Sequence, residues 1–134
     1  MTTGKAPLLA VVDDDAEVRL ALTRLVASAG FEVEAFASGE AFLQSVDDHE
    51  PDCVLLDLHM PDTNGFDVQS AMLPAHAGVP VIVITGHDSS ESRSRALNGG
   101  AKAYLCKPVD GETLLQTINA AIATRGAQAG RRRP

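Results

Sequence analysis

Four uninterrupted apolar runs, each closed by a polar group able to do chemistry, constrain this chain more than any other feature. Leu8-Leu9-Ala10-Val11-Val12 ends in Asp13, Asp14 and Asp15, and Cys53-Val54-Leu55-Leu56 ends in Asp57. Val81-Ile82-Val83-Ile84 ends in Thr85, and Ala103-Tyr104-Leu105-Cys106 ends in Lys107. Short apolar runs without polar alternation are the pattern of strands covered on both faces, as in a parallel sheet sandwiched by helices. If these runs lie parallel, their terminal groups collect along one edge of the sheet.

The stretches between the runs carry helical periodicity, so the expected class is α/β. Val18, Ala21, Leu22, Leu25 and Ala29 mark helix one, which Gly30 ends. Phe31-Glu32-Val33-Glu34-Ala35 alternates strictly, so this strand has one wet face and belongs at an edge. Helix two is expected from about Ser38 to Val46, and helix three from Gly65 to a stop near Pro74. Ser89 or Ser90 caps helix four, which ends at Gly99-Gly100, and Asp110 caps helix five with its stripe Leu114, Leu115, Ile118 and Ile122. Right-handed crossovers then give a flavodoxin-like, doubly wound, five-stranded parallel sheet of order 2-1-3-4-5 with five helices. Its switch point lies between strands one and three, where Asp13, Asp14 and Asp57 flank a crevice.

A chain of 134 residues with 45% hydrophobic content forms one domain with a real core. Residues 7–124 are assigned to that domain, and 125–134 to a disordered basic tail, the Gly, Ala, Gln and Arg from Gly126 onward offering nothing to bury. Four of the 11 cations lie in the last ten residues, which leaves seven against 18 acids in the body. Such a surface repels nucleic acid, so no direct nucleic-acid binding is expected. No run approaches the ~20 residues of a membrane span, and no signal segment opens the chain, so a soluble cytoplasmic protein is expected. Cys53 and Cys106 form no CxxC pattern and read as buried thiols two strands apart. That separation, roughly 9–10 Å, exceeds disulfide reach.

Clustered carboxylates repel one another unless a cation sits among them. Mg²⁺ takes oxygen ligands, commonly one or two carboxylates, waters and a phosphate oxygen. A carboxylate can also attack phosphorus to form an aspartyl phosphate. Three acids, a hydroxyl and an ammonium at one sheet edge thus suit a Mg²⁺-dependent phosphoryl acceptor. Each residue has a plainer reading. Asp14, with Glu17 three residues on, can be a helix cap with a partial capping box, and Asp15 a cap only. Asp57 can begin a loop, Thr85 can simply end a strand, Lys107 can be a solvated turn residue and Tyr104 core. None of these explains why the strand ends match together.

In four ordered segments the chain resembles the receiver domain of bacterial two-component response regulators, over about residues 7–124. The segments are Val12-Asp13-Asp14-Asp15, Asp57-Leu58-His59-Met60-Pro61 with Gly65, Ile84-Thr85-Gly86, and Tyr104-Leu105-Cys106-Lys107-Pro108. Ser38-Gly39-Glu40-Ala41-Phe42-Leu43 and Ile84-Thr85-Gly86-His87 look most like the FixJ-like subgroup. The resemblance implies a signalling switch rather than an enzyme. Asp57 accepts a phosphoryl group from a histidine kinase or a histidine phosphotransfer protein, and the protein promotes that transfer and its own dephosphorylation. Asp14, Asp57 and the backbone carbonyl of His59 bind Mg²⁺, for which Mn²⁺ can substitute, and Asp13 acts partly through water. Lys107 pairs with the acids and then with the phosphoryl group. Thr85 and Tyr104 carry the switch, altering the surface of helix four, strand five and helix five toward a downstream protein target or a phosphorylation-dependent dimer. Gly86 leaves the site accessible, and a cis Lys107-Pro108 bond is implied.

His59 and His87 stand two residues after Asp57 and Thr85, where they overlook the site. They are either solvent-exposed loop residues or groups that tune phosphoryl lifetime and make it pH-sensitive. The chain stops shortly after helix five. A stand-alone regulator acting by protein contact is favoured, because no periodic linker follows Arg125; the receiver part of a DNA-binding regulator is the alternative. A haloacid-dehalogenase-type phosphatase needs an acid where His59 stands. A flavin carrier needs a phosphate loop where Asp13-Asp14-Asp15 would repel it. A docking module without phosphorylation leaves the filled reactive positions unexplained.

Overall fold

The computed structural model describes residues 6–132, and the side chains of residues 6–125. Strands β1 (Leu8–Val12), β2 (Glu32–Phe36), β3 (Cys53–Leu56), β4 (Val81–Thr85) and β5 (Ala103–Cys106) alternate with helices. The helices are α1 (Ala16–Ser28), α2 (Gly39–Val46), α3 (Gly65–His76), α4 (Ser90–Asn98) and α5 (Gly111–Arg132). All strand pairs are parallel, and the order is β2-β1-β3-β4-β5. The expected topology is therefore the observed one.

Successive strand side chains point to opposite faces, so each apolar run supplies two cores. Ala10, Val12, Val54, Leu56 and Val83 face the cluster containing Phe42 of α2, Val68 and Met72 of α3 and Ala96 of α4. Leu9, Val11, Leu55, Ile82 and Ile84 face Leu22 and Val26 of α1 and Leu114 and Ile118 of α5. Every residue of β3 and β4 is buried, whereas the edge strand β2 is partly exposed.

Short polar side chains start the helices. Asp15 accepts from the amides of Glu17 and Val18, Ser38 from Ala41, Ser89 from Ser92, and Asp110 from Thr113. Asn64 and Asp67 form a reciprocal capping box at α3. The cap of α1 is Asp15 and not Asp14, which leaves the Asp14 carboxylate free for other duty.

Two local expectations need correction. Helix α3 carries Pro74 inside and runs on to His76. Its continuation is anchored by Met72 in the core and by His76, whose ring nitrogens lie 2.7 Å from Asp47 Oδ1 and 2.6 Å from Glu50 Oε2. Cys106 is exposed and not buried, because β5 is an edge strand and this is its last residue; Cys53 is fully buried, which pushes its thiol up to about 12. Helix α5 runs from Gly111 to Arg132. Alanine, glutamine and arginine propagate a helix readily once a packed turn has nucleated it.

Candidate functional site

Backbone bonds carry the sheet ladder one residue past three strands, into the residues with chemistry to offer. Asp13 N donates to Phe36 O at 3.1 Å, Asp57 N to Val12 O at 3.0 Å and Lys107 N to Thr85 O at 2.8 Å. These residues thus start from backbone as fixed as the core itself. The loop beyond Asp57 is pinned by Gly65, whose amide donates to Leu58 O at 3.0 Å. A Cβ at Gly65 would stand 2.6 Å from Asp57 O and 2.7 Å from Leu58 Cα, so only glycine lets α3 begin there.

Asp13 and Asp57 are 1% and 5% exposed, while Asp14 faces solvent. Oxygen atoms from the three carboxylates lie within 4.8 Å of one another. Lys107 Nζ lies 2.9 Å from Asp13 Oδ2 and 3.6 Å from Asp57 Oδ1. Asp13 Oδ1 accepts from Asp15 N at 2.9 Å, and Arg19 holds the Asp13 carbonyl at 2.8 Å. Asp57 is served more poorly: Oδ1 receives one long bond from His59 N at 3.4 Å, and no hydrogen bond reaches Oδ2 from the described residues.

The electrostatics follow from this distribution. Burial pushes the Asp57 carboxyl above its ordinary value, Asp13 adds to the rise, and Lys107 only partly opposes it. Burial would depress Lys107, but its bond to Asp13 and the field of Asp57 outweigh that and raise it. One ammonium among three carboxylates leaves a deficit of positive charge. Oxygen donors, a half-paired buried carboxylate and that deficit fit a hard divalent cation such as Mg²⁺.

A hollow of about 160 Å³ opens over these groups, lined by Asp13, Asp14, Asp15, Asp57, His59, Gly86, His87 and Lys107. A larger one, about 430 Å³ between α1 and the β5–α5 loop, is apolar apart from Lys107; another, about 390 Å³ along α5, has no converging acids. The acids converge in the small polar hollow. Gly86 adds no side chain to it, and both His59 and His87 are exposed at its rim, their rings edge to face with centroids 4.7 Å apart.

Thr85 stands apart from the hollow. It is fully buried at the end of β4, and its hydroxyl accepts from His87 N at 3.0 Å. Tyr104 is 6% exposed, and its hydroxyl is buried without a hydrogen bond. Burial raises that phenol above its ordinary value. Arg93 of α4 lies over the ring, 4.7 Å from its centroid. Neither Arg19 nor Arg93 was legible as part of the site, since each acts across space and leaves no local motif. The Lys107-Pro108 peptide is cis, as the resemblance implies.

The sequence profile described as the response regulator receiver domain matches residues 9–119. Response regulator protein TodT of Pseudomonas putida is 36% identical over 120 residues, spanning 90% of this chain and 53% of that protein. Nodulation protein W of Bradyrhizobium diazoefficiens is 39% identical over 111 residues, spanning 83% and 49%. A solved CheY-like response regulator receiver domain protein from Methanospirillum hungatei superposes with a TM-score of 0.87 at 27% identity, covering 92% of this chain and 99% of that one. The chain spans about half the length of the curated relatives it matches. With the matched segment taking in all five strands apart from Leu8, and all the converging groups, this chain belongs to the response regulator receiver domain family.

Proposed function

We propose that Asp57 is the phosphoacceptor of a two-component switch, charged by a phosphohistidine on a kinase or phosphotransfer protein. The observation that carries this reading is the convergence of Asp13, Asp57 and Lys107 from three strands into one hollow. An Asp57 carboxylate oxygen attacks phosphorus, the donor's P–N bond breaks, and its electron pair returns to the imidazole, which takes up a proton. The product is an acyl phosphate on Asp57. Asp57 Oδ2, free of hydrogen bonds from described residues, is the oxygen best placed to act.

Asp14, Asp57 and the His59 carbonyl would hold Mg²⁺, with Asp13 partly through water. When bound, this ion supplies charge neutralisation for the transferring phosphoryl oxygens. Lys107 moves from its bond with Asp13 toward the new phosphoryl group, balancing the same charge from the protein side. Asp13 holds the ammonium in readiness, and the β1 ladder fixes Asp13.

Thr85 transmits the event. Its hydroxyl gives up the bond from His87 N, worth about 1 kcal/mol net, for a charge-assisted bond to a phosphoryl oxygen of about 1.5–3 kcal/mol. That difference shifts a balance between conformers but falls short of the roughly 5.5 kcal/mol needed to move it from 1:99 to 99:1. Tyr104, under Arg93, reports the shift to the surface formed by α4, β5 and α5, where a downstream protein or second copy docks. His59 and His87 at the rim govern how water reaches the acyl phosphate, and hence how long it lasts.

Incubation with acetyl phosphate and Mg²⁺, followed by intact mass measurement, tests the assignment. Wild type should gain one phosphoryl group and Asp57→Asn none. Equal labelling of both would refute it.

A further inference from the structure

We propose that His59 and His87 give the hollow a second metal preference: a borderline transition ion such as Zn²⁺, gripped by both imidazoles together with the Asp14 and Asp57 carboxylates. This rests on the reading of the hollow as a divalent cation site and adds to it a rim of nitrogen ligands. The metal-binding atoms at the floor of the hollow are carboxylate oxygens, which suit Mg²⁺. Two imidazoles above it, with centroids 4.7 Å apart, change the chemistry on offer. Nitrogen ligands favour Zn²⁺, Cu²⁺ and Ni²⁺ over the hard ions, and two histidines with two carboxylates fill the four tetrahedral positions that Zn²⁺ prefers.

Three observations support these two rings in particular. Both line the hollow that Asp14 and Asp57 line. Asp57 is nine-tenths buried, aimed into that hollow, and short of hydrogen bonds. The chain has four histidines, and His76 is spoken for, each of its nitrogens lying against a carboxylate. No side chain among the described residues bonds the ring nitrogens of His59 or His87. The tight carboxylate group does not include the imidazoles as they stand. Both rings are exposed, and exposed side chains change rotamer within nanoseconds, so an arriving ion can draw them inward. With Gly86 beside His87, no side chain at that position obstructs the movement.

Such an ion would sit where Mg²⁺ is needed and enlist Asp57 as a ligand, holding the switch unphosphorylated. Cellular exposure to a transition ion would then act on the signalling state without any partner.

Calorimetric titration of the full chain with Zn²⁺ and, separately, with Mg²⁺ tests this in wild type, His87→Ala and His49→Ala. The ratio of Zn²⁺ to Mg²⁺ affinity should fall at least about tenfold in His87→Ala, the loss that even an outer-shell partner of a metal ligand produces. It should hold in His49→Ala. Proton NMR should show Zn²⁺ shifting the His59 and His87 ring resonances, with the wild type folded throughout. A ratio unmoved by His87→Ala, or Zn²⁺ shifting other histidines instead, would overturn the proposal while leaving the phosphoacceptor reading intact. Failure of Mg²⁺ to bind wild type at all would count against the phosphoacceptor reading, and with it this one.

Discussion

Lys107 is held closer to Asp13 than to Asp57, 2.9 Å against 3.6 Å, so the ammonium is anchored chiefly by Asp13 and not by the proposed phosphoacceptor. That asymmetry leaves the Asp57 carboxylate less tightly paired while placing the positive charge within easy reach. It also means that Lys107 is the principal local compensation for three carboxylates.

Removing it should therefore be felt in stability. Lys107→Ala in the presence of a chelator should lose about 1–3 kcal/mol in urea unfolding, the cost of leaving a buried charge without its partner. Millimolar Mg²⁺ should restore part of this. Unchanged stability without metal would show that the acids need no cation.

Asp57→Asn should do the opposite. The folded-state pKa of Asp57 is raised above its ordinary 3.8, so its contribution is fully present below that value and is lost as pH rises through the folded pKa. At neutral pH the ionised carboxylate is thus a liability in the metal-free fold. The asparagine variant should melt roughly 2–6 °C higher, the shift that about 1 kcal/mol gives a domain of this size. The gain should fade toward pH 4, and a variant less stable than wild type at pH 7 would contradict the account.

These features differ in how plainly the chain displays them. Strands β1, β3 and β4 are enclosed on both faces, so their unbroken apolar runs and reactive end residues stand out together. Caps such as Asp15, Ser38 and Ser89 are local chemistry and equally visible. What depends on distant partners was hidden. The exposure of Cys106 is not written in its own run, because Ala103-Tyr104-Leu105-Cys106 lacks the polar alternation that marks β2 as an edge. The continuation of α3 past Pro74 depends partly on residues 26 and 29 positions away from His76. Arg93 over Tyr104 leaves no sequence trace at all.

The His76 cluster gives a pH prediction at the opposite end of the sheet from Asp57. Bonds to Asp47, then Glu50, raise its pKa above the ordinary 6.5. Arg125 lies 2.8 Å from Glu50 and 3.7 Å from Asp52, closing the network. The stabilisation is complete below pH 6.5 and is lost as pH rises through the raised value. Because Asp47 is mostly exposed, the effect stays within about 1 kcal/mol and shrinks with salt. Thermal melts between pH 6 and 9 should show a decline that His76→Gln flattens. Parallel curves would remove the cluster from the account.

Tyr104 offers a built-in probe, since the chain has one tyrosine and no tryptophan. Arg93→Ala should uncover the ring and steepen acrylamide quenching of its emission. Acetyl phosphate with Mg²⁺ should change the same signal in wild type but not in Asp57→Asn. A signal indifferent to phosphorylation would separate Tyr104 from the switch.

The most direct measurement locates the phosphoryl bond itself. Borohydride reduces an aspartyl phosphate to homoserine, so reduction after treatment with acetyl phosphate, followed by peptide sequencing, marks the acceptor. Homoserine at position 57 is the expected result; homoserine at position 13 or 14, or none where the protein has gained phosphate, would contradict the central claim.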